Sequence, residues 1–359
     1  MDLKNIQKPL IYIFTALAFL QVCIGQNEGT FKNPILEDGA DPYALLHEDG
    51  YYYFMATRGN RLDLWRTDDL TQLESVVPKT IWSPPETGPN SCCIWAPEIH
   101  YIDGKWYVYY TGSDKADEGD HSRFVFVLEN SSATPMEGEW IDKGKINTKY
   151  RGIDGSVFQY NGALYFLYSP YVNDHSDVAI ATMANPWTLN DDETILAAPK
   201  YDWEKTDERS ILEGPMFLEG PKDEVFIVYS AGACWDDNYS LGMLTAKKDS
   251  DFLEAASWKR FPKAVFEMSK ENQVYGPGHH GFTTSRNGQE NWLIFHAKDK
   301  PALGCAQRSA RLQRFTWGKN GRPDFGIPWA LEKEVQKPYR LKSISKTKVS
   351  SSLAVHGVI

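Results

Sequence analysis

The stretch Asp103–Thr111, DGKWYVYYT, joins a turn dipeptide to a strand built on alternating aromatic rings. Asp-Gly favours a type I′ hairpin turn, because both central positions need positive φ. The same unit recurs four times: Asp49-Gly50 with YYYFMAT, Asn161-Gly162 with ALYFLYS, Lys222-Asp223 with EVFIVYS, and Asn287-Gly288 with NWLIFHA. Aligned on their second strand residue, Tyr52, Trp106, Leu164, Val225 and Trp292 are separated by 54, 58, 61 and 67 residues. That drift is too large for a solenoid, but each interval holds a four-stranded sheet with loops of variable length. Helical periodicity is nearly absent outside 251–256. Five such sheets in a ring predict an all-β chain, a five-bladed β-propeller. A pair of β-sandwiches would leave the fivefold repeat unexplained.

A second column runs ahead of these turns, at the start of the preceding strand. It reads GADPY (Asp41), WAPEI (Ala96), GIDGS (Asp154), LEGPM (Glu213) and GPGHH (His279), each eight to ten residues before its turn. The innermost strands of a propeller line the central channel, so equivalent positions converge on one spot. Taken singly, Asp before Pro or Gly is ordinary turn chemistry, and Glu213 before Gly-Pro could cap a loop. Taken together, three carboxylates at one concave spot are costly unless a task needs them. The acidic loop Asp114, Asp117, Glu118, Asp120 has no counterpart in the repeat and reads as solvated surface, without the spacing of an EF-hand.

Composition narrows the task. The 359 residues carry 12 Trp, 19 Tyr and 17 Phe, and 48 Asp+Glu against 38 Lys+Arg give a net charge of −10. With no basic patch, no nucleic-acid partner is expected. The N-terminus reads as a secretory signal over 1–25: Lys4 and Lys8, an apolar run from Leu10 to Leu20, then Cys23-Ile24-Gly25 before a mature start at Gln26. The run is short for a bilayer span. A lipoprotein anchored through Cys23 is disfavoured by bulky Val22 just before it. The expected organisation is therefore a signal peptide (1–25), a catalytic propeller (26–335) and a tail (336–359), in a secreted or periplasmic protein with no membrane span and no protein partner implied. Cys92, Cys93, Cys234 and Cys305 remain, an even count that permits disulfides and equally permits buried thiols. No C-x-x-C pair points to zinc.

Carboxylates among aromatic rings suit carbohydrate chemistry, since glycosidic cleavage needs an acid for the leaving oxygen and a base or nucleophile opposite. The motifs DGADPY, IWAPEIHYIDGKWYVYY, IDGSVFQYNG, EGPMF and YGPGHHGF resemble, in order, those of glycoside hydrolase family 43, from Asn33-Pro34 to about Pro328. The resemblance implies a five-bladed propeller acting on α-L-arabinofuranosides or β-xylosides with inversion. It implies Asp41 as general base, Glu213 as general acid and Asp154 as the acid that tunes and orients. Arg308 would face substrate, with Arg311 only three residues away, and Trp95 would line the pocket beside Ala96. His279 would hold a water-ligated ion, Ca²⁺ in many relatives. The stretch from Glu213 to Trp317 is most similar to exo-acting α-L-arabinofuranosidases, which implies release of terminal residues from arabinan- or arabinoxylan-type chains of plant or algal origin. Cys234-Trp235 and Cys305 depart from that pattern at expected rim loops. The alternatives are a β-xylosidase, a non-catalytic carbohydrate-binding propeller, and a phosphorylase or transferase. The last should add basic residues for phosphate.

Overall fold

The computed structural model describes residues 29–117, 119–206 and 209–339. The expected signal segment and most of the expected tail lie outside them. Five antiparallel sheets stand around one axis, and each is an up-and-down meander whose first strand is innermost. Blade 1 runs through Tyr43–Leu46, Tyr52–Met55, Leu62–Thr67 and Lys79–Trp82; blade 2 through Cys92–Ile102, Lys105–Ser113, Phe124–Asn130 and Ile141–Lys145. Blade 3 contains Gly152–Tyr160, Ala163–Val172 and Val178–Asn185, with Thr188–Leu189 and Thr194–Ala197 both paired to its third strand. Blades 4 and 5 begin at Leu212–Glu219 and Tyr275–Thr284. The repeat read from sequence thus corresponds to five blades of a β-propeller, and each aromatic strand is the second of its blade.

The alternation explains the packing. Side chains on the two faces of each sheet enter two different cores, and five apolar clusters fill the five gaps between neighbouring blades among the described residues. The gap between blades 5 and 1 takes Tyr52, Phe54 and Trp65 from one side and Trp292, Ile294 and Leu312 from the other. Here the ring closes. Thr30–Phe31 pairs antiparallel with Val335–Gln336. Ile35 N donates to Ala310 O, and the Asn33 side chain bonds both the N–H and the carbonyl of Leu312.

The turns are less uniform than their dipeptides suggest. Asp103-Gly104 and Asn161-Gly162 have two positive φ values each, 49° and 81° in both, as a type I′ turn requires. At Asp49-Gly50 and Asn287-Gly288 only the glycine is positive. There the Asp49 and Asn287 Oδ1 atoms accept from Tyr51 N and Gln289 N, so a side chain replaces part of the backbone turn.

The inner strands share one irregularity. Each strand bulges, or begins, where the second sequence column lies: the register shifts between Trp95 and Glu98, Ile153 and Ser156, Glu213 and Met216, and Gly278 and His280. The residues at these bulges, Asp41, Ala96, Asp154, Gly214 and His279, all have φ between 42° and 59°. For four of them a Cβ makes that conformation unfavourable by roughly 1–2 kcal/mol. Each is held by the blade before it. Ala96 N donates to Thr57 Oγ1, Asp154 N to Thr111 Oγ1, His279 N to Ser230 Oγ, and Asp41 N to His296 Nδ1 across the closure. Gly214 N instead donates to Asp154 Oδ2, and the equivalent hydroxyl, Ser169 Oγ, has no partner.

Candidate active site

The bulges open onto a cavity of about 420 Å³ at one end of the ring. Asp41, Asp154, Glu213, His279, Arg308 and Trp95 all line it. Ala96 does not. Its amide bonds Thr57 Oγ1 at 2.7 Å, and that hydroxyl donates to Asp41 Oδ2 at 2.6 Å, so Ala96 acts on the site through its backbone. The structure also separates the two arginines: Arg308 Nη1 donates to Asp41 Oδ1 at 2.7 Å, while Arg311 is wholly buried in blade 5, its Nε on Ser309. Glu213 stands one residue ahead of the bulge column, where Gly214 has the place of Asp41 and Asp154.

The carboxylates differ in what surrounds them. Burial alone would raise Asp41, but Arg308 and then His279 outweigh it and hold the group well below its ordinary value. Asp154 is pushed up to about 7, chiefly by burial, with His279 opposing and the charges of Glu213 and Asp41 adding to the rise. Glu213 is also raised, first by burial, against His279 and the hydrogen bond from Tyr239. His279 is raised in turn: burial disfavours its charge, but three carboxylates around it prevail. Its Nδ1 is 3.5 Å from Asp41 Oδ1 and 3.8 Å from Asp154 Oδ2. The site therefore holds one ionised carboxylate beside a guanidinium and two carboxyls that retain protons more readily. Tyr239 donates to Glu213 Oε1 at 2.6 Å, which leaves Oε2 to carry a transferable proton.

Several contributors escaped the sequence reading. His296 is buried and held near a pKa of about 3 by burial and Arg308, so it is a neutral imidazole accepting from Asp41 N. Its signal was in the repeat: the aromatic strands end in Thr57, Thr111, Ser169 and Ser230, and the fifth ends in His296-Ala297. The acidic loop is not all solvated surface. Asp120 lines the cavity and accepts from both Arg123 Nη1 and Arg209 Nη1. Arg123 stacks 4.2 Å above the Trp95 ring and Arg209 4.5 Å above Tyr171. Asp120, Tyr171 and Arg209 also line an adjoining groove of about 440 Å³, so this clamp is the wall between the two spaces.

Across the cavity, the departures at the rim form a cross-link. Cys234 and Cys305, 71 residues apart, are joined by a disulfide, with Trp235 beside it 40% exposed. Beneath it, buried Lys298 donates to the carbonyls of Cys234, Asp236 and Gly304 and pairs with Asp237. Arg308 Nε donates to Cys305 O, which ties this rim to the arginine on Asp41.

A family model described as Glycosyl hydrolases family 43 matches residues 31–323. An extracellular exo-α-(1→5)-L-arabinofuranosidase of Streptomyces avermitilis is 39% identical over 84% of this chain, which spans 64% of that relative's length. One of the same name from Streptomyces chartreusis is 35% identical, over 75% of this chain and 82% of its own. The crystal structure of an α-L-arabinofuranosidase from Lactobacillus brevis superposes with a TM-score of 0.79 at 35% identity, covering 84% of this chain and 98% of that one.

Proposed function

This chain belongs to glycosyl hydrolases family 43, and on that footing we propose that it is an inverting exo-acting glycosidase releasing terminal α-L-arabinofuranosyl residues from arabinan- or arabinoxylan-type chains. The observation that carries the reading is the split between Asp41, held ionised, and Glu213, held toward its protonated form, in one cavity. Asp41 activates a water on one face of the sugar while Glu213 protonates the departing oxygen on the other. Asp154 holds the Gly214 amide beside Glu213 and so fixes the acid's backbone. A β-xylosidase ranks second. Neighbours named for xylan are 20% identical or less, and at that level they speak for the fold alone.

The test is a panel of nitrophenyl glycosides followed by anomer analysis of the products from arabinan and arabinoxylan. Glu213→Gln should lose about 10³-fold or more on natural linkages and far less on dinitrophenyl arabinofuranoside, whose leaving group needs no proton. Equal losses on both would remove Glu213 from the acid's role.

We further propose that a Ca²⁺ at His279 would be held mainly through water. The imidazole offers one nitrogen, Asp41 and Asp154 already accept from Thr57, Arg308 and Gly214 N, and no cluster of three or more side chains arranged to hold a metal occurs among the described residues, here or elsewhere. Chelator should then lower wild-type activity, added calcium should restore it, and His279→Ala should respond to neither. A wild type indifferent to both, with no calcium by metal analysis, would leave His279 as the site's counter-charge. Export to an extracellular or periplasmic space is likewise proposed, from the N-terminal pattern and the relatives' extracellular names. Among the described residues no helix is long and apolar enough to cross a membrane.

A further inference from the structure

Cys92 and Cys93 open the inner strand of blade 2, three and two residues before Trp95 in the cavity wall. Their sulfurs are 2.9 Å apart, inside the contact distance of two unbonded sulfur atoms and short of the ~2.05 Å covalent bond. Cys93 has φ of 55°, an unfavourable conformation for a residue with a Cβ, and it turns the two side chains toward each other. The backbone on either side is fixed: Ser91 N and Oγ both donate to Gly88 O, and Ile94 exchanges two backbone hydrogen bonds with Gly59. The pair is thus pre-placed by its surroundings, so closing it costs little further ordering. Both residues are half-buried. The Cys234–Cys305 bridge indicates a chain that matures under oxidising conditions.

We propose that Cys92 and Cys93 form a disulfide between sequence neighbours, a second covalent lock, at the start of the strand that carries Trp95 into the cavity wall. The oxidant is a low-molecular-weight or protein disulfide. One cysteine thiolate attacks it, giving a mixed disulfide and releasing one thiol; the other cysteine thiolate displaces the second thiol and closes the ring. The two cysteines lose two electrons and two protons, and the external disulfide is reduced to two thiols. The resulting ring fixes the entry to the strand that carries Trp95.

The experiment uses the full chain, equilibrated with oxidised glutathione until peptide mapping shows Cys234–Cys305 closed. The protein is then alkylated without reductant, digested and weighed. The expected result is a Cys92-Cys93 peptide two hydrogens lighter than its reduced form, alkylated only after reduction. In Cys93→Ser, Cys92 should take up the reagent directly. A Cys92-Cys93 peptide carrying two alkyl groups without reduction, while Cys234–Cys305 stays closed, would overturn the proposal. A bridge from either residue to Cys234 or Cys305 would overturn it equally.

Discussion

At Asp154 a buried carboxyl sits between the His279 imidazole and the Gly214 amide, its pKa pushed from 3.8 to about 7 by burial first, then by Glu213 and Asp41 against His279. The native state therefore binds this proton more tightly than the unfolded chain does. Its contribution to stability falls as pH rises from about 4 to about 7, and the full penalty persists above that. Asp41, held low, contributes in the opposite sense: its stabilisation is present above the unfolded pKa and is lost as pH falls. Asp154→Asn keeps an acceptor for Gly214 N and removes the charge. It should gain roughly 1–3 kcal/mol over wild type in denaturant unfolding at pH 8 and little at pH 4, while losing activity. A difference independent of pH would mean that Asp154 does not titrate in this range. Like charge couples the two acids, so the proton each holds depends on the charge of the other. The variant's basic limb should then move to lower pH, and an unmoved limb would leave Asp154 with only its bond to Gly214.

At the level of elements, the clamp of Asp120 between Arg123 and Arg209 brings a loop of blade 2 against the segment entering blade 4. Its rings and guanidiniums line the cavity and the adjoining groove, where we expect the rest of an oligosaccharide to lie. Asp120→Ala should remove the shared wall between cavity and groove. We expect KM for arabino-oligosaccharides to rise about tenfold, with nitrophenyl arabinofuranoside kinetics changed less than about threefold. Equal effects on both would place Asp120 at the reacting sugar instead. None of this clamp could be read from sequence, because Asp120 and Arg209 are 89 residues apart and meet only through loops that have no repeat. The acids were legible for the converse reason: Asp41 and Asp154 recur at one point of a repeated strand, marked by turns and rings. Glu213 shared the pattern but not the register, because its blade places Gly214 at the bulge. The strained backbone that aims the two aspartates and His279 leaves no trace in composition. The hydroxyls that hold it do: Thr57, Thr111 and Ser230 were visible all along as the last letters of the aromatic strands.

For the whole molecule, each blade sets the backbone of the next, and the last sets the first through His296 and Asp41. The site therefore depends on the order of blades around the ring, with no blade privileged as a starting point. At the closure, Lys337 N donates to Gly29 O, so the two ends of the described chain already touch. It follows that the position of the chain break is chemically arbitrary. A circular permutant that joins residues 29 and 337 by a short glycine-serine linker and opens the turn at Lys222-Asp223 would keep all five hand-overs from blade to blade. It should fold and retain activity within about tenfold of the parent, as expected for new termini at an exposed turn. A permutant that folds with the parent's melting behaviour but has no activity would show that the terminal clasp, Asn33 on Leu312 included, needs free ends to set Asp41.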